Sequence, residues 1–247
     1  MTEATVISVK DLTKRFGHFT AVDHITLQVR RGEIFGFLGA NGAGKTTAMR
    51  MLCGLSFPTS GSGTVAGYDI LRQAEDIKRH IGYMSQKFSL YEELTVWENL
   101  NLFGTIYGMS AKDIREKAET AFRTLGMEDL RKVRVKEIPL GWKQKLAFIA
   151  ATLHTPDIVF LDEPTGGVDP ATRRKFWEMI YRASSEGMTV FVTTHYLDEA
   201  EYCHRISIMV DGRIQALDSP AGLKRQYRAE TMDEVFRIVA KDAQRTD

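Results

Sequence analysis

The sequence predicts an α/β fold: a mainly parallel sheet, preceded by an antiparallel β unit and interrupted by a helical insertion. Three observations predict it. The segment Gly39-Ala40-Asn41-Gly42-Ala43-Gly44-Lys45-Thr46-Thr47 satisfies G-x-x-x-x-G-K-[ST], with an apolar run over residues 34–38 ahead and a helical pattern from about Lys45 behind. A second apolar run, residues 158–161, ends in two adjacent carboxylates, Asp162 and Glu163. Between Lys87 and Leu153 the apolar residues recur at helical rather than strand spacing.

Composition limits the partners. The 247 residues are 43% hydrophobic, enough for one large or two small packed units. A net charge of +1 supplies no field to hold a long nucleic acid, and no nucleic-acid partner is expected. Cys53 and Cys203 lie far apart and outside any C-x-x-C pair. Both are expected to be small core hydrophobes in a reducing compartment rather than a disulfide or metal framework. No apolar stretch approaches the roughly 20 residues that span a bilayer. Met1-Thr2-Glu3-Ala4 lacks a basic-then-apolar leader, so a soluble, unexported chain is expected.

In chain order, Val6, Val9 and Leu12, then Ala21, Val22, Ile25, Leu27 and Val29, read as short strands separated by Gly17 and by the polar pair Asp23-His24. Phe16, on a strand beside the glycine loop, is either a core aromatic or a platform for an adenine ring, a contact worth ~1–3 kcal/mol by analogy with base stacking. His18 and His24 read as surface residues. The glycine loop itself is an anion cup: its glycines let successive N–H groups turn inward, and the helix behind adds the positive end of its dipole. Lys45 is placed to reach outer phosphates, and the Thr46 hydroxyl to complete a magnesium shell. The helix continues through Ala48, Met49, Met51, Leu52 and Leu55 and stops between Gly54 and Pro58.

Residues 58–63 read as a turn cluster, and Thr64-Val65-Ala66 as a brief strand returning to the first sheet. A helical patch over 70–79 precedes a strand over 81–84, with Gln86 at its end, where α/β sheets place functional groups. Leu94, Val96, Leu100, Leu102 and Phe103 form one helical face, and Ile114, Ala118, Ala121, Phe122 and Leu125 a second, closed by Gly126. The helical insertion therefore covers about 87–153 within a domain over 1–220, followed by a helical tail over 221–247. Residues 138–146 are a loop opening a helix that runs to about His154. Along the strand over 157–163, alternation would turn Asp162 to a magnesium ion and Glu163 to a water that it deprotonates.

Gly166-Gly167-Val168-Asp169 is a tight loop, and Pro170 suits the first turn of a helix to about Glu186. A buried strand over 188–192 ends in Thr193-Thr194-His195, and a histidine there can donate to a terminal phosphate. Residues 206–210 and 214–217 form a hairpin around Asp211-Gly212. Thr231 and Glu234 have capping-box spacing, with Met232, Val235, Phe236 and Val239 as one face packing on the same domain.

The phosphate cup, Gln86, the 158–163 strand with its acids, the 166–169 loop and His195 occur in an order and spacing that resemble the nucleotide-binding subunit of an ATP-binding-cassette (ABC) transporter over nearly the whole chain. The resemblance implies a P-loop NTPase core that binds ATP with Mg2+ and hydrolyses it. It implies a head-to-tail dimer, with a second copy or another ABC ATPase. Each ATP lies between one subunit's cup, Gly39, Ala40, Asn41, Gly42, Ala43, Gly44, Lys45, Thr46 and Thr47, and the other's signature loop, Pro139, Leu140 and Gly141. Phe16 becomes the adenine-stacking residue, Thr46, Asp162 and Gln86 the magnesium set, Glu163 the base, Asp169 a cross-dimer contact and His195 the switch histidine. Gln86 would also couple the site to an integral-membrane permease, placing the chain peripherally on the cytoplasmic, inner face of the cell membrane.

The stretch Pro139-Leu140-Gly141-Trp142-Lys143-Gln144 and the tail from Thr231 to Phe236 resemble ATPases of the ABC-2 type, which export drugs or polymers. One departure matters. The family's signature usually reads L-S-G-G-Q, whereas Ile138-Pro139-Leu140-Gly141-Trp142 lacks the serine hydroxyl, and Pro139 has no N–H to replace it. Losing one preorganised donor costs around 2.7–4 kcal/mol of barrier, so retained but slowed hydrolysis is expected. Two functions fit: the energy-coupling ATPase of a membrane transporter, or a soluble ABC-type ATPase acting in assembly or regulation. Long-arm DNA-repair relatives are disfavoured by the lack of inserted heptads, and translation-factor relatives by the single cassette.

Overall fold

The computed structural model describes residues 4–243. Residues 1–3 of the segment read for a leader, and 244–247 of the expected tail, lie outside them. Two long strands, β1 (Thr5–Phe16) and β2 (Phe19–Arg30), form an antiparallel hairpin around Gly17-His18. Asp23-His24 does not divide β2 as its polarity suggested. His24 takes φ 50° and the register slips between Leu12↔Ile25 and Lys14↔Val22, so a bulge absorbs the polar pair and the strand continues.

The next strand, β3 (Ile34–Gly39), is buried along its whole length and runs into the glycine loop and α1 (Lys45–Leu52). The chain then returns as β4 (Ser60–Val65), antiparallel to β1, and β5 (Tyr68–Asp69), completing a sheet of order β2-β1-β4-β5. Residues 60–63, read as a turn, are thus strand. A Cβ at Gly61 or Gly63 would come within 2.5 Å of the Asp11 or Ser8 carbonyl oxygen. The glycines serve close approach of β4 to β1, while Ala66, expected in the strand, has φ 51° in the turn after it.

The remaining elements are α2 (Ala74–His80), β6 (Ile81–Met84), α3 (Val96–Ile106), α4 (Ala111–Leu125), α5 (Leu140–Thr152), β7 (Ile158–Asp162), α6 (Pro170–Ser185), β8 (Thr189–Thr194), β9 (Arg205–Val210), β10 (Arg213–Asp218), α7 (Pro220–Tyr227) and α8 (Met232–Ala243). The second sheet has the order β10-β9-β3-β8-β7-β6. All its pairs are parallel except β9–β10, whose turn has Asp211 at φ 45° and Gly212 at φ 81°, as an Asp-Gly hairpin requires. Its central strands are apolar on both faces, with Phe35, Phe37 and Phe160 each about 5.3–5.4 Å from the Phe191 ring centre.

Local signals set the helix ends. Thr95 and Glu98 close a capping box on α3, Ser110 caps α4, and Gly126 ends it at φ 64°. The segment read as a helical tail opens with the short α7, whose start is marked by Ser219, capping Gly222 N, and by Pro220. At the tail the box slips by one residue: the Thr231 hydroxyl accepts from Glu234 N, while the Glu234 carboxylate accepts from Glu230 N. Met232, Val235 and Val239 pack into the cluster that contains Ile206, Ile208 and Leu223. Cys53 and Cys203 are buried free thiols. Among the described residues no helix is long and apolar enough to cross a membrane.

Helix α5 is apolar on two faces. Its Leu146, Ile149, Ala150 and Leu153 side join Val96, Leu100, Ile114, Ala118 and Phe122 in the core between α3 and α4. Ala147, Phe148 and Ala151 instead pack into the cluster on the parallel sheet. The contact is close: a Cβ at Gly82 of β6 would lie 2.0 Å from the Ala151 carbonyl oxygen. Gly82→Ala is expected to cost roughly 1–3 kcal/mol by overpacking, seen as a lower urea midpoint at unchanged slope.

Candidate functional site

The glycine loop is held from both sides. Gly42 and Gly44 have φ 84° and 100°, and a Cβ at Gly44 would stand 2.3 Å from the Ala21 carbonyl oxygen of β2. A Cβ at Gly39 would stand 2.6 Å from the Met209 carbonyl oxygen of β9. Only glycine satisfies both the left-handed backbone at Gly44 and the approach of the neighbouring strand. No side chain caps α1, which leaves the amides of its first turn directed at the loop.

Lys45 is buried within the cup. Its Nζ donates to the carbonyls of Gly39 at 2.7 Å and Ala40 at 3.0 Å, and lies 3.5 Å from Glu163 Oε1. Burial pushes its pKa down, and the Glu163 charge opposes that.

Asp162 closes β7 with 3% of its surface exposed. Its Oδ1 accepts the hydroxyls of Thr193 at 2.7 Å and Thr46 at 3.2 Å. Burial raises its pKa, and those two hydroxyls partly offset the rise. Glu163 is not separated from Asp162 by strand alternation, contrary to expectation. It has already left the strand at φ 47°, with its N–H donating to Thr193 O and Oγ1. A left-handed residue other than glycine costs of order 1–3 kcal/mol and collects at functional sites. Here it swings the Glu163 carboxylate over the cup: Oε2 accepts the Gln86 amide at 3.1 Å and stands 3.1 Å from His195 Nδ1.

Lys45, Gln86, Glu163 and His195 therefore converge, brought together from α1 and from the ends of β6, β7 and β8. Gln86, expected in the magnesium set, donates its amide to Glu163. Phe16 is 55% exposed at the hairpin tip, with Lys14 Nζ 5.2 Å from its ring centre. Phe19, its register partner and 65% exposed, lines a cavity of about 330 Å³ together with Ala21, Gly42, Lys45, Thr46 and Glu163. The sequence reading missed Phe19. The signal lay in strand alternation, since Phe19 and Ala21 share a face of β2 and Ala21 abuts Gly44.

Pro139, Leu140 and Gly141 open α5 with no side-chain cap, and with Asp169 they line a second cavity of about 410 Å³ that shares no residue with the first. Within one chain they do not reach the cup. Asp169 is occupied as the cap of α6: Oδ1 accepts from Ala171 N and Thr172 N, and Oδ2 from the Thr172 hydroxyl at 2.6 Å. The Thr172 hydroxyl holds this carboxyl below its ordinary range.

The loop fits phosphate, since the left-handed backbone at Gly42 and Gly44 and the uncapped first turn of α1 present main-chain amides to an anion. The oxygens of Thr46 and Asp162 fit magnesium, which takes few protein ligands and completes its shell with water and substrate phosphate. Among the described residues no group of three or more His, Cys, Asp and Glu competes as a cation site. Loop, lysine, threonine–aspartate pair and poised carboxylate define a nucleotide-binding cassette of the P-loop class.

Comparison with known proteins is specific. Residues 22–166 match the ABC transporter family. The chain is 47% identical over 237 residues to the "Probable multidrug ABC transporter ATP-binding protein YbhF" of Escherichia coli (strain K12), covering 94% of this chain and 41% of that protein. It is 38% identical to the Nod factor export ATP-binding protein I of Paraburkholderia xenovorans, over 88% of this chain and 72% of the relative. A dimeric ATP-binding cassette solved in a post-hydrolysis state with ADP and Pi superposes with a TM-score of 0.78 at 25% identity, covering 86% of this chain and 98% of that one. The chain belongs to the ABC transporter family, and it spans less than half the length of YbhF.

Burial holds the Asp162 carboxyl above the ordinary 3.8, so in the pH range between 3.8 and that raised value the folded chain keeps a proton that the unfolded chain has released. Its contribution to stability is full below 3.8 and is lost as pH rises through the raised value. Asp162→Asn is expected to raise the melting temperature of the nucleotide-free protein at neutral pH. Calorimetry should show the gain fading as the solution is acidified past the ordinary carboxyl range.

Proposed function

We propose that this chain is the ATP-hydrolysing subunit that powers a membrane ABC transporter, an exporter of the ABC-2 type, from the cytoplasmic face of the membrane beside an integral-membrane permease. The observation that carries the reading is the convergence of Lys45, Gln86 and His195 on Glu163, at 3.1–3.5 Å, above a glycine loop. The relatives' names, one a multidrug transporter component and one a Nod factor exporter, support export.

The chemistry follows from the residues. Loop amides and the α1 terminus bind the triphosphate, and Lys45 exchanges loop carbonyls for outer phosphate oxygens. Thr46 and Asp162 would hold magnesium, which neutralises phosphate charge when bound. Glu163 accepts the proton of the attacking water, and Gln86 and His195 keep its carboxylate aimed. Phe16, with Phe19 beside it, offers the adenine a stacking surface.

The cup and the Pro139–Asp169 face lie apart within one chain, so a head-to-tail dimer, with a second copy or another ABC ATPase, brings a partner's face over each cup. That the related cassette was solved as a dimer with ADP and Pi supports the arrangement. ATP then supplies contacts present only in the closed dimer, and hydrolysis removes them.

In the complex with its permease, Glu163→Gln is expected to retain ATP while turnover stops, and Lys45→Ala to lose nucleotide retention. Normal turnover by Glu163→Gln, measured as phosphate release, would remove Glu163 from the role of base. Pro139→Ser combined with Leu140→Gly restores a hydroxyl and a slim loop. It should raise turnover toward the 10²–10³-fold scale of about one preorganised donor, and an unchanged rate would show that the loop carries no such penalty.

A further inference from the structure

Glu199 is a buried carboxylate that the chemistry above leaves unused. It is 0% exposed, in the short turn Glu199–Tyr202 that follows β8. A carboxylate taken out of water is costly unless its oxygens are paired, so its partners show what the fold gains from it. Oε1 accepts the Thr165 hydroxyl and lies 3.6 Å from Arg173 Nε, and Oε2 accepts the Thr194 hydroxyl at 2.5 Å. Thr165 follows Glu163 by two residues, Thr194 directly precedes His195, and Arg173 stands four residues after Asp169. One side chain thus fastens the three segments that carry Glu163, His195 and Asp169.

The need for such a fastening is visible in the sheet. Pairing of β7 with β8 ends at Asp162↔Thr193. Past that point the last main-chain link is Glu163 N to Thr193, after which the two segments part. The bridge Thr165–Glu199–Thr194 is the next connection outward. Arg173 adds to it, with its guanidinium 4.0 Å from the centre of the Tyr196 ring and that ring 4.2 Å from His195. Arg173 also donates to Asp198 at 3.3 Å.

We propose that Glu199 is a positioning residue. By clamping the Thr165 and Thr194 hydroxyls it holds Glu163 and His195 in register beyond the end of the β7–β8 ladder, and through Arg173 it ties that pair to the helix after Asp169. Its kinetic consequence rests on the ATPase reading above, whereas its spectroscopic consequence rests on geometry alone.

The test uses the full chain with Glu199→Ala and with Glu199→Gln, each alone and combined with Glu163→Gln. The imidazole resonance of His195 is followed by NMR. In the wild-type background, Glu163→Gln should displace that resonance, because the two groups touch. With Glu199→Ala the displacement should vanish, and with Glu199→Gln it should persist, since an amide can still bond both hydroxyls. In the permease complex, Glu199→Ala should lower kcat about 10²-fold, the scale of a misplacement of about 1 Å, with ATP retention unchanged and Glu199→Gln recovering most of the rate.

A displacement of the same size with Glu199→Ala would overturn the proposal. So would a loss of rate that tracks an equal loss of ATP retention, the mark of a residue that only supports the fold. If Glu199→Ala does not fold, Thr194→Val removes one arm of the clamp and the same comparison decides. A wild-type complex without ATP turnover would strike the ATPase reading, and the NMR comparison would still judge the clamp.

Discussion

The parallel register of β3, β8 and β7 is the constraint on which the site depends. Leu38 pairs with Thr194, Gly39 with Met209 and Asp162 with Thr193, so Ala40, Glu163 and His195 are the residues that step off the sheet at one end. Three segments distant in sequence are thereby delivered to one place without any of them having to find the others through loops. A parallel sheet buried on both faces holds that end firmly, since a slip of one residue would exchange the two faces and break the fit of side chains such as Phe35, Phe37, Phe160 and Phe191.

Electrostatics then determine which groups that end tolerates. Lys45 and Asp162 are both withdrawn from water, and burial works against the charged form of each. The hydroxyls of Thr46 and Thr193 stabilise Asp162, and the loop carbonyls with Glu163 stabilise Lys45. The site holds opposite charges close together before any nucleotide arrives. That is the preorganised arrangement in which electrostatic stabilisation is most effective.

What the sequence disclosed was local. The glycine loop, the acids at the end of β7, the Asp-Gly hairpin and the proline that opens α6 each announce themselves within a few residues, because each depends on the backbone freedom or dipole of those residues alone. The failures share a different cause. Gly61 and Gly63 look like a turn until β1 is seen beside them, Phe19 looks like any loop aromatic until β2 is folded over Gly44, and Glu163 looks like an ordinary strand residue until its φ is known. Glu199 is the extreme case, since its partners come from three segments and no spacing within one of them marks it. Alternation predicted the wrong geometry for the acidic pair because it holds only while the chain remains a strand.

The two-faced helix α5 has a mechanical consequence. It begins with Pro139 at one end and shares its flanks between two cores, so it is a common wall rather than a hinge. Torque applied to α3 or α4 is passed to α5 with little backlash, because slipping would strip Ala147, Phe148 and Ala151 from the sheet. The residues at its tip therefore travel with the load, as the end of a stiff crank does.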